Sequence, residues 1–143
     1  MQAYVIDASV AAKWVLPAAG EPFAAEAARL LDDLTASRAT ALVPELFWVE
    51  IAHVCWKSVQ RGRIHAAQAA QGLETLRAVG LATVSVMPHL DDALALALAY
   101  RHAAYDCLYV ALARALDAEL VTADEALVRA LGSRFALRWL GAL

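Results

Sequence analysis

The chain has 143 residues, 62% of them hydrophobic and 19% charged, with a net charge of −3, so it is long enough for one sizeable core, and a single domain spanning 1–143 is expected. No apolar run reaches the roughly 20 residues of a membrane span, and the opening MQAYVID lacks the basic and apolar regions of a secretory signal, so cytoplasmic residence is expected. The acidic balance lacks the basic footprint of a phosphate-binding protein, an objection that weakens if several acids gather around cations that reverse the local sign.

Residues 3–6 are rich in strand formers, and Asp7-Ala8-Ser9 follows as a strand-to-helix turn, which puts Asp7 at a strand's carboxyl end. A helix from Ser9 stops near Pro17, and a second covers about 21–34. Residues 41–43 form a short strand. Pro44 and Glu45 open a long helix, 46–60, ended by Gly62; another, 65–79, ends at Gly80. Residues 81–87 read as a strand, 89–103 and 106–118 as two helices, 119–122 as a strand and 124–131 as a helix, and 135–139 closes the sheet. Strands alternating with helices, without hairpin turns, give an α/β class with a parallel sheet covered on both faces.

Ligands of open parallel sheets bind outside the carboxyl ends of the strands, where Asp7 and Asp124 fall and where Asp106, opening a helix, also reaches. Like charges brought together there repel unless protons or a cation compensate, and a divalent metal is the economical answer. Helix capping competes for each residue taken singly, and Thr122 with Glu125 even fits a capping box. Glu50 differs, because its helix is apolar nearly all round, so its charge needs a metal or a basic partner.

Glu50 and His53 form an E-x-x-H pair, but a di-iron bundle needs that motif twice, and His65, His89 and His102 show no ligand spacing. A haloacid-dehalogenase-like site wants an acid where Ser9 stands. A receiver-like site wants an acidic pair near the first strand and an acceptor near residue 87. Neither Gly-rich nucleotide loop is present, and Cys55 and Cys107 suit buried free thiols without chemistry.

Four blocks, Val5-Ile6-Asp7-Ala8-Ser9-Val10, Pro44-Glu45-Leu46 leading to Glu50, Tyr105 to Ala113 around Asp106, and Leu120-Val121-Thr122-Ala123-Asp124, together resemble the PIN-domain family over essentially the whole chain. The chain looks most like the VapC-type toxins of toxin–antitoxin pairs. The resemblance implies a three-layer α/β/α sandwich with a mainly parallel sheet, and Asp7, Glu50, Asp106 and Asp124 as a catalytic cluster holding Mg²⁺ or Mn²⁺. It implies Ser9 and Thr122 as supporting polar groups, an RNA substrate, a homodimer, and a small antitoxin lying across the active-site groove. Cys107, where alanine is common, is a small-for-small departure.

Hard carboxylate oxygens suit those ions, and one or two of them would activate a water for hydrolysis, leaving a 5′-phosphate and a 3′-hydroxyl. Lys13, Lys57, Arg61, Arg63 and Arg101 are placed to track an RNA backbone, against the plainer reading of solvated charge. Trp14, Trp48 and Trp56 are candidates for base stacking, though their helical spacing favours core or interface packing. The rival functions are a PIN nuclease of RNA maturation or decay without an antitoxin, and a catalytically silent binding module.

Overall fold

The computed structural model describes residues 1–143. Its centre is a five-stranded sheet in the order β3-β2-β1-β4-β5, built from β1 (Gln2–Ile6), β2 (Ala39–Pro44), β3 (Ala82–Val84), β4 (Glu119–Thr122) and β5 (Leu137–Trp139), all paired in parallel. Helices α1 (Ala8–Val15), α2 (Ala24–Thr35), α3 (Glu45–Gln60) and α4 (Ala66–Arg77) form one packed group, with α2 and α3 also against β2 and α1 against β4. Helices α5 (Leu90–Tyr100) and α6 (Ala104–Ala115) pair with each other, α6 lying against β1, β2 and β4, while α7 (Glu125–Leu131) contacts β4 and β5. The result is a three-layer α/β/α sandwich.

Val5, Ile6, Val43, Leu120 and Val121 are fully buried strand residues, as parallel strands covered on both faces require. From Cys107 to Ala113 every residue of α6 is buried, so this helix is apolar all round because it is enclosed all round. α3 is different: Phe47, Ile51, Cys55 and Ser58 face the core, while Val49 (68% exposed) and Trp56 stand in solvent. A helix apolar nearly all round is therefore buried within the chain only along its inner face. Burying Phe47 and Ile51 contributes about 1.5–3 kcal/mol each.

Three element boundaries move from where the sequence puts them. α2 starts at Ala24 rather than near residue 21, because Pro22 disfavours helical backbone at Glu21 and Phe23 then turns left-handed with φ 57°. β3 stops at Val84, since the Val86 amide donates to Glu45 Oε1 (3.1 Å) and Pro88 sits in a 3₁₀ turn, Met87–His89. α5 ends at Tyr100, where Arg101 adopts φ 53°, and α6 begins at Ala104, so Asp106 lies inside its first turn instead of opening it.

No helix is long and apolar enough to cross a membrane. Leu90, Leu94 and Leu98 (72% exposed) nevertheless form an outward stripe along α5. It borders an apolar groove of about 580 Å³ lined by Leu46, Val49, Val86, Leu94, Tyr105 and Leu108, among others.

Candidate active site

The chain leaves β1 toward β2 on one side of the sheet and leaves β4 toward β5 on the other, so the crevice at the carboxyl ends of β1 and β4 is the topological switch point. Asp7 is the first residue beyond β1, and its amide donates to Val121 O (3.0 Å), which extends the β1–β4 ladder and fixes the backbone there. Asp124 follows β4 after one intervening residue, Glu50 stands in the second turn of α3 beyond β2, and Asp106 lies in the first turn of α6. All four acids line one cleft of about 690 Å³ together with Ser9, His53 and Tyr105.

Asp7 is 6% exposed and is the centre of a hydroxyl network. Its Oδ2 accepts hydrogen bonds from Ser9 Oγ (2.8 Å) and Thr122 Oγ1 (2.7 Å). Ser9 Oγ in turn accepts the Ala123 amide (3.0 Å), and Thr122 Oγ1 accepts the Asp124 amide (3.0 Å), so the turn after β4 is stitched to the turn after β1. Thr122 thus serves Asp7 and is not the first residue of a capping box; the residue that caps α7 is Asp124. Burial pushes the Asp7 carboxyl above its ordinary value and the charge of Asp106 adds to this, against the lowering effect of the two hydroxyl donors.

The other acids are each held through one oxygen. Glu50 Oε1 accepts from the Tyr109 hydroxyl at 2.6 Å, a short charge-assisted contact between α3 and α6. Asp106 Oδ2 lies 2.9 Å from His102 Nε2, and Asp124 Oδ1 accepts the Ala126 (3.0 Å) and Leu127 (3.3 Å) amides at the start of α7. Desolvation raises the Glu50 pKa, reinforced by the charges of Asp7 and Asp106 and opposed by the Tyr109 bond. Burial, with the nearby charges of Asp7 and Glu50, drives the Tyr109 phenol far upward, so it remains a donor at neutral pH.

In every case the second carboxylate oxygen accepts no side-chain hydrogen bond. No lysine or arginine pairs with any of the four acids. As they stand, no three Asp, Glu, His or Cys side chains come close enough together to enclose a metal ion. The donor set still fits a hydrated divalent cation, because Mg²⁺ keeps several of its waters and is held by only one or two carboxylates directly.

Among the basic residues, Lys13 Nζ (3.0 Å) and Arg63 (3.1 Å) both end on Glu21, a largely buried carboxylate that ties the loop after α1 to the end of α3. Lys57, Arg61 and Arg101 take part in no ion pair. Trp14 Nε1 donates to Ala27 O (2.8 Å) and Trp48 Nε1 to Thr83 Oγ1 (2.9 Å), both structural contacts, whereas Trp56 is exposed and stacks on His53. Reading the sequence missed Tyr109, His102 and Tyr105. A signal for Tyr109 existed: it lies one helical turn beyond Asp106 on an otherwise apolar helix, where a phenol must find a partner.

The PIN domain family model matches residues 4–131. No curated protein matches in sequence. Similar solved structures include PAE2754 from Pyrobaculum aerophilum, at 20% identity and TM-score 0.74, covering 99% of this chain and 85% of that one. VapBC2 from Rickettsia felis, bound to a DNA fragment from their promoter, is similar at 14% identity and TM-score 0.68, covering 96% and 98%. A toxin–antitoxin complex from Klebsiella pneumoniae is similar at 14% identity and TM-score 0.64, covering 94% and 95%.

Proposed function

The chain belongs to the PIN-domain family, and from that premise we propose that it is an endoribonuclease dependent on Mg²⁺ or Mn²⁺ and the toxin of a toxin–antitoxin pair. The observation that carries the nuclease reading is the pair Asp7 and Glu50. Both are raised in pKa by burial and by the neighbouring acids, and neither has a basic partner inside the chain. Such a pair is costly unless a cation or protons complete it. Asp7, Glu50, Asp106 and Asp124 would hold the cation through their free oxygens, directly or through water, with Ser9 and Thr122 fixing the orientation of Asp7.

When bound, the cation supplies an activated water and neutralises charge on the scissile phosphate. The chain's own contribution is placement. The hydroxyls of Ser9, Thr122 and Tyr109 and the helix start at Asp124 keep one edge of each carboxylate occupied without removing its charge. His102 Nε2 occupies one oxygen of Asp106. Lys57, Arg61 and Arg101 remain available for the RNA backbone, whereas Lys13 and Arg63 contribute only through the local field while Glu21 holds them.

The toxin reading is supported by the likeness to toxin–antitoxin complexes and by the apolar groove, which shares Leu46, Val49 and Tyr105 with the acidic cleft. We assign the groove and the leucine stripe of α5 to protein partners, an antitoxin segment and a second copy of the chain. The deciding experiment incubates the purified protein with RNA in Mn²⁺ or in chelator, beside Asp106→Asn. Cleavage that needs the cation, leaves 5′-phosphate ends and disappears in the variant is expected; cleavage that survives chelator and the substitution would overturn the reading.

A further inference from the structure

We infer that Tyr109 is a positioning residue for the reaction, its buried hydroxyl fixing Glu50 so that the second carboxylate oxygen stays available to the cleft. This rests on the reading of Glu50 as a cation-holding residue. Glu50 is half-buried and carries a long side chain with several rotatable bonds, on a helix whose outer face is open to solvent. Left to itself, such a side chain samples several rotamers. One contact restrains it: the Tyr109 hydroxyl at 2.6 Å on Oε1.

The donor's placement follows from the fold. Tyr109 is 1% exposed, locked in the all-buried stretch of α6. It follows Asp106 by one helical turn, so α6 supplies one acid of the cleft and the brace of another. Glu50 and Tyr109 are separated by 59 positions, so the bond also fixes how α3 crosses α6 at the cleft's edge. Groups that hydrogen-bond ligating side chains typically change metal affinity ten- to a hundredfold when removed. A phenol suits the task because it donates one directed bond while leaving the carboxylate's charge in place.

The test is Mn²⁺ titration of chelator-treated protein, followed by the electron paramagnetic resonance of free Mn²⁺. The natural chain, Tyr109→Phe, Glu50→Ala and the double variant are compared, with melting curves in chelator as the folding control. Tyr109→Phe is expected to weaken Mn²⁺ binding about ten- to a hundredfold. Glu50→Ala should weaken it at least as much, and the double variant no further. 4-Aminophenylalanine at position 109, which keeps a donor in the same place, should recover most of the loss. A purely structural tyrosine would lower the melting temperature but leave Mn²⁺ affinity unchanged, and that result overturns the inference. So does a double variant in which the two losses multiply. If Glu50→Ala is itself silent, the cation reading of Glu50 fails too, a result distinct from failure at Tyr109 alone.

Discussion

Replacing Asp7 by asparagine should make the metal-free protein more stable and, on the proposed function, abolish cation-dependent RNA cleavage. Ionised Asp7 is buried and faces the charge of Asp106, and what it gains in return is the two hydroxyl bonds to Oδ2. Burying a carboxylate costs several kcal/mol, whereas each charge-assisted bond returns about 1.5–3 kcal/mol. Since the folded pKa is raised, the unfavourable effects win. Asparagine keeps an acceptor for Ser9 and Thr122 and drops the charge, for a net gain of about 1–3 kcal/mol, or roughly 3–10 °C in melting temperature for a chain of this size.

The pH dependence has a definite sign. A carboxyl whose folded pKa is raised contributes its stability below the unfolded pKa and loses it as pH rises through the folded one. The advantage of Asp7→Asn therefore grows as pH rises from the ordinary value of 3.8 through the raised folded pKa, and disappears as pH falls back toward 3.8, where the natural residue is itself protonated. Circular-dichroism melts in chelator at pH 7 and pH 4.5 measure both points. An asparagine variant that melts below the natural protein at pH 7, or an advantage that grows on acidification, would refute the reasoning.

Thr122→Val, nearly isosteric at a fully buried site, removes the donor to Asp7 and the acceptor of the Asp124 amide. The Asp124 amide is orphaned, at about 1–3 kcal/mol, while Asp7 Oδ2 keeps Ser9 and loses one charge-assisted bond of about 1.5–3 kcal/mol, so urea denaturation should show a loss of roughly 2–5 kcal/mol; a loss below about 1 kcal/mol would mean that the hydroxyl does not hold the network together. Leu94→Glu lies on the exposed stripe of α5 and lines the apolar groove. It should leave the melting temperature of the isolated chain nearly unchanged, within about 0.5 kcal/mol, yet reduce self-association or partner binding in analytical ultracentrifugation; unaltered association would remove this face from consideration.

What the sequence made legible was local. Asp7 and Asp124 sit where strand-forming runs give way to helix starts, so their place at the sheet edge follows from residues next to them in the chain. The start of α2 was not legible, because Pro22 and the pull of Glu21 toward Lys13 and Arg63 outweigh the helical pattern of the residues around them. The ion pairs of Lys13 and Arg63 depend on how a loop closes over α1 and α3, which spacing does not encode. The partner of Glu50 was hidden for the same reason, since the crossing of α3 and α6 decides it. His102 was legible in principle: it stands four residues before Asp106, but looking for metal-ligand spacing draws attention away from a histidine that contacts an acid.

The way the acids are held separates a built anionic site from a set of helix caps. Asp124 is a cap, yet Asp7 makes no capping bond, and Asp106, inside the first turn of α6, makes none either. Glu50 lies well inside α3. Of the chain's twelve lysines and arginines, eight form ion pairs, with Glu21, Glu26, Asp33, Glu74, Asp92, Glu119 and Glu125, and none pairs with a cleft acid. An arginine beside Asp7 would have satisfied its geometry and cancelled its charge together. Hydroxyls from Ser9, Thr122 and Tyr109 satisfy the geometry and leave the charge, so the fold carries a destabilising cluster that a cation from outside would relieve.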